Sequence, residues 1–108
     1  MKRWKIIIEL PAQRDIADAY LWLVEQAPDA ADQWFNRIYE TLGSLDIYPE
    51  RCPLAPEGQF LQAEVREIFH GQRQNKYRIL FTVIENEVHV LHVRHGARRV
   101  LGEPEFEQ

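Results

Sequence analysis

The chain has 108 residues, with 13 Lys and Arg against 17 Asp and Glu, for a net charge of −4. A hydrophobic fraction of 45%, including three Trp, five Phe and four Tyr, suffices for one core and excludes disorder, while the length leaves no room for a second. The short apolar runs exclude a membrane-spanning helix, and the lone Cys52 excludes an internal disulfide.

Residues 4 to 10 are rich in β-branched side chains and read as a first strand; the apolar run in MKRWKIIIEL is too short for a signal peptide. Pro11 suits a first helical turn, where its missing N–H costs nothing. Ile16, Tyr20, Leu23, Val24 and Ala27 then recur at helical spacing and predict a helix over residues 12 to 27. Pro28 ends it, and Asp29 is placed to cap a second helix with Asp32 in its first turn. Ala31, Trp34, Phe35, Ile38, Leu42 and Leu45 carry the second apolar stripe to residue 46. Residues 49 to 63 hold three of the six prolines and read as an ordered loop.

Three strands follow, over residues 64 to 70, 76 to 84 and 87 to 94. In the middle one Tyr77, Ile79, Phe81 and Val83 form the face expected to meet the helices. Glu85, Asn86 and Glu87 make the connecting turn, with Asn86 best suited to positive φ. The order β-α-α-β-β-β predicts an α+β fold in one domain, residues 1 to 108, with a helical hairpin packed on one face of a small, mostly antiparallel sheet.

The charge is unevenly spread. Residues 65 to 99 hold seven of the 13 Lys and Arg, all four His and only three of the 17 acids. An acidic protein has thus gathered its positive charge on one sheet, the pattern of a surface that meets an anion or an acidic partner. His89, His92 and His95 are three apart on a strand and alternate faces, so they cannot share one metal ion, and no metal or other cofactor is expected. No glycine-rich phosphate loop and no serine nucleophile motif is present. Cys52, in Arg-Cys-Pro, has no evident base beside it and is not read as catalytic.

Several motifs in order resemble the RelE/ParE superfamily of bacterial toxins from type II toxin–antitoxin pairs. They are Ala12, Asp15-Ile16 and Tyr20 after a short strand, Pro28-Asp29-Ala30-Ala31 opening the second helix, and Pro49-Glu50-Arg51. The most telling are Val65-Arg66-Glu67-Ile68, Tyr77-Arg78-Ile79-Leu80-Phe81 and Val90-Leu91-His92-Val93-Arg94-His95-Gly96 with Arg98. The long hairpin and the Arg-Glu, Tyr-Arg, His, Arg pattern look more like the ParE branch. That resemblance implies a cytoplasmic plasmid-stabilisation toxin that inhibits DNA gyrase without catalysis of its own and is neutralised by a ParD-like antitoxin. The RelE branch implies instead a ribosome-dependent mRNA endonuclease with a RelB-like antitoxin. A third possibility is a non-toxic member that only binds its antitoxin.

By the resemblance, Arg78 falls on the arginine of the Tyr-Arg strand, Arg98 or Arg99 on the arginine after the last strand, and Arg66 loosely on the preceding strand's basic position. The RelE tail tyrosine has no match; Phe106 stands among acids there. The expected target-contact set is Arg66, Arg78, Arg94, His95, Arg98 and Arg99; a nuclease would draw on Arg78, His92, Arg94 and Arg98. Arg78 could equally pair with Glu67 across the strands. Trp22 and Trp34 read first as packing residues, and with Phe106 they are the candidates for receiving an antitoxin helix. A three-residue turn at 85 to 87 would put His92 and Arg94 on the face of Arg78, and a two-residue turn would put His95 there instead.

Overall fold

The computed structural model describes residues 2 to 71 and 76 to 96. Its first strand, β1 (Lys5–Ile8), leads into helix α1 (Leu10–Gln26), helix α2 (Pro28–Gly43) and two single 3₁₀ turns, Ser44–Asp46 and Pro49–Arg51. A one-turn helix, α3 (Gly58–Leu61), precedes strands β2 (Arg66–His70), β3 (Tyr77–Ile84) and β4 (Glu87–His95). The four strands form one sheet in the order β1-β4-β3-β2. β1 runs parallel to β4, and the other two pairings are antiparallel. The expected α+β architecture is therefore the observed one, with α3 as an unforeseen addition inside the proline-rich loop.

The two helices meet at Ala27, which ends one and begins the next. Asp29 accordingly does not cap α2: the cap position belongs to Ala27, which makes no side-chain cap bond, and Asp29 sits inside the first turn. There its charge still complements the helix dipole. Ala12 and Ile16 of α1 and Ala31, Ile38 and Leu42 of α2 are buried. Ile16, Ile38, Leu42 and Leu45 pack on Ile79, Phe81, Val88, Val90 and Val93, the sheet face predicted from the alternation of β3. Val24 and Phe35, expected in the stripes, are exposed instead. Phe35 stacks between Tyr20 and Tyr39, with ring centroids 5.3 and 5.0 Å away.

The sheet's other face carries a smaller cluster of Leu80 with Ala55, Val65 and Leu91. The loop of residues 49 to 65 lies on that side. Ala55 N–H donates to Val65 carbonyl at 2.7 Å and Glu67 N–H to Pro53 carbonyl at 3.0 Å, which lays the loop along the β2 edge. Both faces are covered, one by the helical hairpin and one by this loop.

Candidate functional site

The strand register decides which charged side chains share a face. Val83 pairs with Val88 and Ile84 with Glu87, so the turn has two residues. Its positive φ falls on Glu85 (φ 55°), not on Asn86. A two-residue turn alone would turn His95 toward the face of Arg78. The register shifts by one between Leu80 and Phe81, however, leaving Leu91 as the extra residue of a β-bulge. Beyond it Arg78 pairs with Arg94, Leu80 with His92 and Tyr77 with His95. The chain thus has the short turn and the pairing that the long turn would give. Arg78 and Arg94 lie on the outer face, while His95 stands beside Tyr77 on the helix side.

Arg78 is buried on that outer face and spent on carboxylates. Its Nη1 and Nη2 donate to Glu57 Oε2 and Oε1 at 2.8 and 2.7 Å, and its Nε and Nη2 donate to Glu67 Oε1 at 3.0 and 2.8 Å. Glu57 is fully buried, and its fork on Arg78 is the main reason the guanidinium is held still more firmly protonated than usual. Arg78, expected in the target-contact set, sits in an interior ion pair that clamps the loop onto the sheet. Pairing with Glu67, the structural alternative, is observed. Glu57 was not singled out in the sequence, because it comes from a loop 21 residues away.

Arg66, also expected at the contact surface, is half-buried and donates through Nη1 to the carbonyls of Glu50 and Cys52 at 3.2 and 2.7 Å. It fastens the second 3₁₀ turn to β2. Cys52 is buried beneath it, and burial pushes its thiol up in pKa, away from nucleophilic use. Arg94 differs. It forms no ion pair among the described residues, and its Nε is buried without a hydrogen-bond partner there. Arg98, Arg99 and Phe106 lie outside the described residues.

The histidines do not converge. His92 Nδ1 lies 3.0 Å from Asp15 Oδ2, and the same oxygen accepts the Val93 N–H at 2.9 Å, tying α1 to the bulged strand. His89 sits between Glu9 Oε2 (2.7 Å) and Glu87 Oε1 (2.9 Å). Carboxylates only accept, so both ring nitrogens donate, and the bond to Glu9 is the main reason its pKa is raised. His70 faces Thr41 Oγ1 at 2.9 Å, and burial, with help from Arg37, lowers its pKa. A nuclease set of Arg78, His92 and Arg94 is therefore divided: the first is neutralised, the second is held by α1, and only Arg94 keeps an unpaired charge.

Helix α1 and the end of β4 enclose a groove of about 500 Å³. Asp15, Asp18, Ala19 and Trp22 of α1 form one wall, and Tyr77, Val93 and His95 of the sheet form the other. Trp22 is 55% exposed. Trp34 is instead half-buried against the core, its ring centroid 5.2 Å from that of Tyr77, and its Nε1 is buried without a partner among the described residues. Of the two tryptophans proposed for an antitoxin, Trp22 is presented outward and Trp34 packs inward. Asp15, Asp18 and Trp22 recur at i, i+3 and i+7, a spacing that could have marked this face in the sequence.

Comparison with known proteins gives three findings. The family model described as the ParE toxin of the type II toxin–antitoxin system parDE matches residues 6 to 100. A Caulobacter vibrioides protein named Toxin RelE1 is 30% identical over 91 residues, covering 84% of this chain and 91% of that protein. Among solved structures, a chain from the chromosomal ParDE toxin–antitoxin system of P. aeruginosa aligns with a TM-score of 0.67, over 85% of this chain and 95% of that one. At 18% identity that likeness speaks to fold alone.

Proposed function

This chain belongs to the ParE toxin family of type II toxin–antitoxin systems, and from that membership we propose that it binds and inhibits DNA gyrase and is neutralised by a ParD-like antitoxin. The observation that carries the choice between binding and catalysis is the state of Arg78. Cleavage of RNA through the 2′-hydroxyl requires cations free to meet the charge that develops on phosphorus. Here the central strand's arginine is closed off by Glu57 and Glu67, at 2.7 to 3.0 Å. Its charge is cancelled before any substrate arrives.

Net charge points the same way. A protein that works among ribosomal phosphates gains affinity and on-rate from strong positive charge, and this chain carries −4. A protein target asks for less: cations without an ion pair among the described residues, Arg94 on the outer face and Lys76 over the Phe69 ring, joined in sequence by Arg98 and Arg99. The acidic helical side and the sheet face that carries Arg94 then serve different partners.

The test is induction of the chain in growing cells, followed by parallel mapping of chromosomal double-strand breaks and of transcript ends. Gyrase-linked breaks with intact transcripts are expected. Transcripts cut within codons over intact DNA would assign the RelE-type activity instead, and growth without either lesion would leave a member that only binds its antitoxin.

A further inference from the structure

The groove between α1 and β4 plays no part in the account of the outer sheet face, and its chemistry is of the opposite sign. β1 ends at Ile8, paired with Val90, so among the described residues no strand covers the outer edge of β4 beyond that point. The groove opens there. Asp15 is already committed to His92 and the Val93 N–H. Asp18, one turn along, has no hydrogen bond or ion pair among the described residues, and Trp22 lies one turn further on the same helix face. A carboxylate and an aromatic ring at i and i+4 present a charge and a π-face side by side, which suits the head of a lysine or arginine. Ala19, Tyr77 and Val93 supply an apolar bed next to it.

We propose that this groove seats a basic–apolar segment of the antitoxin, with its Lys or Arg between Asp18 and the Trp22 ring and the adjacent apolar side chain on Ala19, Tyr77 and Val93. The inference rests on the antitoxin reading given above and specifies its chemistry. Charge disfavours the competing occupants. Nucleic acid phosphates are repelled by Asp15 and Asp18, and a second copy of a chain of net charge −4 is opposed by its own field. The outer face that carries Arg94, which the target is proposed to use, lies on the other side of the sheet, so the two partners need not share a chemical signature.

The test uses the whole chain with the product of the adjacent short reading frame that restores growth when co-expressed. Binding is measured for the original chain, Asp18→Lys, Trp22→Ala and, as a control at a remote exposed site, Ile84→Ala, after circular dichroism and thermal melts show that each variant folds. Asp18→Lys and Trp22→Ala are expected to weaken the complex tenfold or more, about the range of one charge-assisted or cation–π contact in a desolvated site. Replacing one basic residue of the antitoxin by Glu should restore binding to Asp18→Lys, and Ile84→Ala should bind as the original does. Unchanged affinity of both groove variants for a neutralising antitoxin would overturn the inference and leave the antitoxin reading intact. A homodimer of the chain alone, dissociated by Asp18→Lys, would assign the groove to a second copy and also overturn it. If no neighbouring product neutralises the chain, the antitoxin reading and the inference fall together.

Discussion

Removing the Arg78 guanidinium should be far more damaging than truncating an ordinary surface arginine. In Arg78→Met four charge-assisted hydrogen bonds disappear, and Glu57, with no exposed surface, keeps a carboxylate that has lost its fork of donors. Breaking a buried pair from one side costs about 3–5 kcal/mol, because the remaining charge loses its main compensation. Against a total stability of about 5–15 kcal/mol for a chain of this size, that loss should lower the melting temperature by at least about 12 °C. Urea denaturation followed by circular dichroism measures it. Combining Arg78→Met with Glu57→Leu should cost clearly less than the sum of the two single changes, since the second removes the stranded charge. If Arg78→Met stays within about 1 kcal/mol of the original at neutral pH and still abolishes toxicity, Arg78 is a contact residue and the structural assignment is wrong.

Other consequences can be checked in the same way. A Cβ added at Gly58 would lie 2.6 Å from the Ala63 carbonyl oxygen, so Gly58→Ala should displace the turn that places Glu57 and cost about 1–3 kcal/mol in a urea melt. Asp15→Ala removes the acceptor of both His92 and the Val93 N–H and should cost about 1–3 kcal/mol, with hydrogen exchange at Val93 rising more than at Ile79. His89 has a raised pKa from Glu9 and Glu87, so its contribution is full below the unfolded histidine value and is lost as pH rises through the folded one. A His89→Gln variant should therefore be weaker than the original on the acid side and converge with it on the alkaline side; a constant difference across that range would refute the pairing.

The helical hairpin and the inner sheet face were legible because each follows a single period. The stripe through Ala31, Ile38, Leu42 and Leu45 and the alternation of Tyr77, Ile79 and Phe81 each describe one buried surface. The face assignment of the histidines and Arg94 was not legible. Two local features oppose each other, a two-residue turn with Glu85 in the left-handed region and a bulge at Leu91, and neither leaves a mark such as Asn-Gly or an isolated Gly. The burial of Arg78 was not legible either, because its decisive partner arrives from a loop that periodicity does not describe. Glu57 stands between Pro56 and Gly58 in a stretch with no apolar rhythm, and α3, four residues long, is too short to announce itself. Val24 and Phe35 fit the helical spacing yet lie outward, since the hairpin buries a narrower stripe than the apolar residues could fill.

The central claim, a toxin that acts by binding gyrase, is tested most directly with purified components. Supercoiled plasmid, gyrase and ATP are incubated with the chain, and the products are resolved after denaturation and proteolysis. Linear plasmid that appears in proportion to the chain, vanishes when gyrase is left out and is suppressed by the neutralising antitoxin is the predicted result. Full supercoiling at every concentration of a folded chain that still arrests growth would contradict the account and return the question to RNA.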